Sequence, residues 1–126
     1  MLKKGGQSRI VMVTCGTMTE ARRIARRVVA NSLAACVNIV QSPVESVYAW
    51  KGRVEKAREY LLLMKTTAKR LAELEREVRR LHGYDVPEFI ALKVTEGSAS
   101  YLAWLSSSVA KSRKSSKRRA VQNRIL

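Results

Sequence analysis

The stretch Val44-Glu45-Ser46-Val47-Tyr48-Ala49-Trp50-Lys51-Gly52-Arg53, running on through Tyr60-Leu61-Leu62-Leu63-Met64 to Thr66, decides the fold. Val44 to Trp50 reads as a strand, Lys51-Gly52 turns the chain, and Arg53 to Thr66 returns as a second strand. The first half of the return strand is mixed with polar residues. Only its second half, the apolar run from Tyr60 to Met64, reads as buried on both faces. Fourteen residues at about 3.3 Å each reach roughly 46 Å, whereas a compact body of this length has a diameter of roughly 34 Å. The hairpin is therefore predicted to protrude. An arm carrying Val47, Tyr48, Trp50, Val54 and Tyr60 invites aggregation unless another chain covers it, so oligomerisation is expected.

Outward from the hairpin, the pattern alternates strands and helices. Ile10-Val11-Met12-Val13, within Arg9 to Cys15, is a short β-branched apolar run suited to a buried strand. Thr17 and Glu20 have the spacing of a helix-starting capping box. Beyond them Ala21, Ile24, Ala25, Val28 and Val29 recur on one helical face. The opposite face holds Arg22, Arg23, Arg26 and Arg27, which reads as a solvated surface or as part of an anion-binding one. Ala34 to Val40 is the next strand, and Pro43 bends the chain before Val44. After the hairpin, Leu71, Leu74, Val78 and Leu81 mark a second amphipathic helix, Phe89 to Val94 a last strand, and Ser98 to Val109 a short terminal helix. The order βαββαβ plus a helix predicts an α+β, ferredoxin-like sandwich.

Between the second helix and the last strand lies Leu81-His82-Gly83-Tyr84-Asp85-Val86-Pro87-Glu88, which holds the one histidine of the chain. Gly83 suits a left-handed helix cap, and Val86, preceding Pro87, is driven to an extended conformation. His82, Tyr84, Asp85 and Glu88 are thus expected on a surface loop held at both ends. Donors for a metal are few. Cys15, at a strand end before a helix N-terminus, reads either as a thiolate poised for metal or as a small buried apolar residue. Cys36, inside the strand Ala34 to Ile39, reads as core. His82 reads as a metal ligand, as a helix C-cap group or as a hydrogen-bond partner of a neighbouring strand, with Glu88 an oxygen donor beside it and Asp85 a weaker one.

Five segments, in register, resemble the CutA family of divalent-cation tolerance proteins: Ala34-Ala35-Cys36-Val37-Asn38-Ile39, Val47-Tyr48-Ala49-Trp50-Lys51-Gly52, Met64-Lys65-Thr66-Thr67, His82 through Glu88, and Glu96-Gly97 with Tyr101-Leu102-Ala103-Trp104-Leu105. The resemblance spans Arg9 to Val109. It implies a ferredoxin-like subunit, an interlocked homotrimer, binding of divalent metals such as copper and no catalytic activity. It maps the family's metal-binding candidates onto Cys15, His82 and Glu88. Where the family commonly has proline after the histidine, this chain has Gly83, which is expected to loosen the loop and lower affinity.

The charge of +15 is unevenly placed. Residues 111–126 contain seven Lys or Arg and no acid, leaving +8 for residues 1–110. This segment lies outside the family pattern and reads as a basic disordered tail. Residues 1–8 read as a flexible N-terminus, and 9–110 as one domain. Lys111, Arg113, Lys114, Lys117, Arg118 and Arg119 form either a solubilising run or a nonspecific contact to nucleic acid or anionic lipid. No RNP1 aromatic pattern, phosphate-binding glycine loop or Ser-His-Asp arrangement is present, so neither a dedicated RNA-binding module nor an enzyme is expected. With no apolar run of membrane-spanning length, no secretory h-region and no Cys-x-x-Cys pair, the expectation is a cytoplasmic protein in a reduced compartment. The leading reading is a trimeric protein of divalent-metal tolerance or response. The alternative is electrostatic nucleic-acid binding through the tail.

Overall fold

A computed structural model describes residues 1–110. The elements are β1 (Leu2–Lys4), β2 (Ser8–Cys15), α1 (Met18–Ala30), β3 (Cys36–Ile39), β4 (Val44–Trp50), β5 (Arg53–Thr67), α2 (Leu71–Leu81), β6 (Ile90–Lys93), β7 (Glu96–Ser98) and α3 (Ala99–Ala110). The main sheet runs β3-β5-β2-β6, with every neighbouring pair antiparallel. Each crossover helix carries the chain past one strand. From β2, α1 leads to β3 on the far side of β5; from β5, α2 leads to β6 on the far side of β2. This is the α+β ferredoxin-like arrangement that the alternation predicts.

Alternation along β2 sends Val11, Val13 and Cys15 to one face, opposite Met64, Leu62 and Tyr60 of β5. Against them pack Ala21, Ile24 and Val28 of α1 with Leu74, Val78 and Leu81 of α2, closing a single core. Burying each large member contributes about 1.5–3 kcal/mol of transfer free energy, an upper bound for a compact unfolded chain. The second face of β5 is different from the expectation. Leu61 and Leu63 are only half-buried, because α3 covers part of this face and, among the described residues, no second helical layer covers the rest. Cys36 shares that face. It is half-buried rather than core, with Lys65 Nζ 4.0 Å from its Sγ and Tyr101 of α3 facing it.

Both ends of α1 are closed. Thr17 Oγ1 accepts from the Glu20 amide at 3.1 Å. At the C-terminus Leu33 N donates to Val28 O and Ser32 N to Val29 O, a Schellman pattern with Ser32 at φ +60° where glycine is usual. The hairpin turns on Lys51 and Gly52, both with positive φ, the conformation that matches strand twist in a two-residue turn. Residues 53–59 of β5 pair with β4 and with no other strand. The free arm is thus seven residues long, about 23 Å, half the length expected, because the rest of β5 is the sheet's central strand.

Two expectations fail here. Residues 1–8 are not a loose end: β1 pairs antiparallel with β7, Gly5 N donates to Thr95 O at 2.8 Å, and Ser8 already belongs to β2. Backbone pairing gives the segment partners that its composition did not advertise. Nor is Gly83 a left-handed cap. The helix ends at Leu81, and His82 turns extended, at φ −82° and ψ 145°. The tail residues Lys111, Arg113, Lys114, Lys117, Arg118 and Arg119 lie outside the described residues.

Candidate metal centre

Three chain segments meet at one end of the sheet. β2 ends at Cys15, whose side chain is fully buried. Gly16 and Thr17 carry the chain into α1, and Glu20, in the first turn, faces back toward the strand end. The end of α2 brings in His82, and the donor atoms of Cys15, Glu20 and His82 all lie within 4.8 Å of one another. Two glycines allow this approach. A Cβ on Gly16 would stand 3.1 Å from Tyr84 Oη, and one on Gly83 would stand 2.9 Å from Glu20 Oε2.

His82 is not a surface residue. Its side chain is buried, and Nε2 lies 2.7 Å from the carbonyl oxygen of Thr14. A carbonyl only accepts, so Nε2 carries the proton and Nδ1 is left with its lone pair. Nδ1 accepts from the Tyr84 amide at 3.1 Å and faces Glu20 Oε1 at 3.8 Å. The backbone of β2 therefore selects the tautomer and leaves the basic nitrogen on the side of Glu20 and the Tyr84 amide. This is the outer-shell contact that orients ligating histidines.

The surroundings are acidic. Tyr84 Oη donates to Glu59 Oε2 at 2.9 Å, and Glu59 is only 7% exposed. Burial, then the Glu20 and Glu59 carboxylates, push the Cys15 thiol up to about 12. Burial first, and the bond to Glu59 second, push Tyr84 up to about 12. Glu88 is likewise held above the usual carboxylate range, by burial and then by Glu59. Of the two readings of Cys15, the buried thiol is the one this environment favours, because burial and then two carboxylates disfavour the thiolate.

Of the three residues expected as ligands, Cys15 and His82 are brought together, and Glu20 completes the group. Glu88 lies outside that group and feels the Glu59 carboxylate. Asp85 is exposed. In sequence Glu20 reads as a capping residue, and its fifth position after Cys15 is the one available signal. Glu59 has none, since it falls in the polar half of the return strand. The donors suit a divalent ion: nitrogen, sulfur and oxygen atoms form a borderline-soft set, and bonds of about 2.0–2.3 Å span donors up to about 4.6 Å apart. A small inward shift closes the group.

The CutA1 divalent ion tolerance protein family model matches residues 9–108. The Thermus thermophilus divalent-cation tolerance protein CutA is 45% identical over 96 residues, 76% of this chain and 92% of that protein. The chloroplastic CutA of Arabidopsis thaliana is 46% identical over 99 residues, 79% of this chain but 54% of that longer protein. Among solved structures, the Thermus thermophilus protein superposes with a TM-score of 0.78 at 42% identity, covering 80% of this chain and 97% of its own. The Archaeoglobus fulgidus protein, described as a periplasmic divalent cation tolerance protein, gives 0.78 at 34%, covering 81% and 98%. With the ferredoxin-like sheet, the long β5 and the Cys-Glu-His group in place, the chain belongs to the CutA family of divalent-cation tolerance proteins, a non-enzymatic family.

Proposed function

We propose that this protein is a homotrimeric, cytoplasmic divalent-metal-binding protein of metal tolerance or response, with copper as its ion. The observation that carries the reading is the convergence of Cys15, Glu20 and His82 from three segments on one buried point. Copper is favoured by the nitrogen and sulfur donors, for which it has the highest affinity among first-row divalent ions. His82 Nδ1 would ligate after giving up the Tyr84 amide, and Cys15 would bind as thiolate, losing its proton to solvent. Glu88 and Glu59 stand outside the trio and add negative potential that draws a cation in. A cytoplasmic setting is supported by the two free thiols, and among the described residues no helix is long and apolar enough to cross a membrane. Relatives described as periplasmic and chloroplastic occupy other compartments.

Isothermal titration of copper(II) tests the site. Cys15→Ser, Glu20→Gln and His82→Ala should each weaken binding by more than about tenfold, and Cys36→Ser should leave it unchanged. Wild-type affinity in the His82→Ala protein would remove the site assignment.

A further inference from the structure

The outer face of α1 forms a shallow groove lined by Thr19, Arg22, Arg23, Arg26, Arg27 and Ala30, with no carboxylate in its lining. Arg22 and Arg26 stand four residues apart, as do Arg23 and Arg27, so two rows of like charge run along one helix. Neighbouring like charges at this spacing oppose helix formation. The second row reaches toward α2. Arg23 Nη2 donates to Leu81 O at 2.8 Å, at the open carbonyl end of α2, and Arg27 Nη1 lies 3.9 Å from Glu77 Oε2. That acid is already claimed by Arg80 at 2.7 Å. Glu20 is turned inward to His82. Among the described residues, Arg22 and Arg26 have neither hydrogen bond nor ion pair and are exposed. The groove thus has one wall whose guanidiniums contact α2, with Glu77 at its edge, and one wall of exposed arginines that pair with no acid among the described residues.

We propose that this groove binds the phosphodiester backbone of nucleic acid, without reading sequence. The planar fork of arginine matches phosphate oxygens bidentately, and that of Arg23 is pre-organised. From Thr19 to Ala30 the helix rises about 16 Å, a length of duplex axis over which one strand carries about five phosphate charges, at 3.4 Å of axis each. A single small anion would leave most of it unused. No aromatic side chain lines the groove, so base stacking, the usual grip on single strands, is absent and the backbone is what remains to be held. An anionic membrane fits less well, because the apolar face of α1 is buried in the core and has nothing to insert.

The test measures binding of a labelled DNA duplex of about 20 base pairs to the full chain while salt is raised from about 50 to 200 mM. Arg22→Gln with Arg26→Gln is compared with Lys3→Gln with Lys4→Gln, exposed residues of β1 outside the groove that remove the same charge. Glutamine matches arginine in helix propensity, so α1 is retained, and thermal melts of both proteins check it. The arginine pair should lower the slope of log K against log salt by about 1.8, two phosphate contacts, while the lysine pair leaves it nearly unchanged. Arg22→Lys with Arg26→Lys should recover the slope but not the full affinity. Equal losses in both pairs, no loss in the arginine pair, or no duplex binding by the wild type would overturn the proposal. So would phosphatidylserine vesicles discriminating between the two pairs at least as strongly as the duplex does.

Discussion

Gly83 and Glu20 work as a pair across the space between the end of α2 and the start of α1. A side chain at 83 meets Glu20 Oε2 at 2.9 Å, and Glu20 is the flexible partner, so it is the carboxylate that would move. Gly83→Ala is therefore expected to cost little stability, with φ at this position already in the range of ordinary residues. It should turn Glu20 away from His82 Nδ1 and weaken copper binding by about tenfold, the lower end for groups that tune a metal site. Titration calorimetry of the variant, with its melting temperature beside it, checks this; unchanged affinity would mean that Glu20 takes no part. The departure from the family's proline thus reads as room for a carboxylate rather than as a loosened loop. His82 shows the converse limit of a sequence reading. Its solitary place before a turn makes it a candidate ligand, but its burial and tautomer depend on Thr14, which is 68 residues away.

At the level of elements, α1 and α2 are joined through Glu77, which bonds Arg80 within α2 and reaches Arg27 of α1. The hydrogen bond from Arg80 is the main cause holding the Glu77 carboxyl below its ordinary value. A depressed folded-state value means that the stabilisation is fully present above the ordinary carboxylate value and is lost as pH falls through the folded one. Glu77→Gln should accordingly destabilise the protein at pH 7 by at most about 0.5 kcal/mol, as for exposed ion pairs. The difference from wild type should vanish once the pH is well below about 4. Urea unfolding at the two pH values measures it, and a constant difference would show that Glu77 acts through packing. Helix spacing made both amphipathic faces legible, down to Leu74, Val78 and Leu81. It did not show which arginine would find Leu81 O or Glu77, since these contacts join helices that periodicity treats separately.

For the whole molecule, exposed apolar surface is the central fact. Val47 and Val54 on the arm are 63% and 80% exposed, Trp50 is half-exposed, and Ile90 and Leu92 lie bare on β6, the open edge of the main sheet. A lone subunit with such an arm and edge would associate without limit, whereas closed rotational symmetry covers both. Sedimentation should give a trimer, and Trp50→Ser with Val54→Lys should shift it toward monomer; a monomeric wild type at micromolar concentration would exclude this assembly. The βαββαβ order of the main sheet and its helices, the hairpin turn and the Thr17 cap were determined by the sequence alone. Each depends on periodicity, turn residues or spacing within a dozen positions, which are local properties. The strand pairing of residues 2–4 with 96–98, the half-exposure of Cys36, and the replacement of Glu88 by Glu20 beside Cys15 and His82 were decided only by the tertiary structure. Those outcomes depend on which distant segments the packed core brings within bonding reach, and no local pattern encodes that distance.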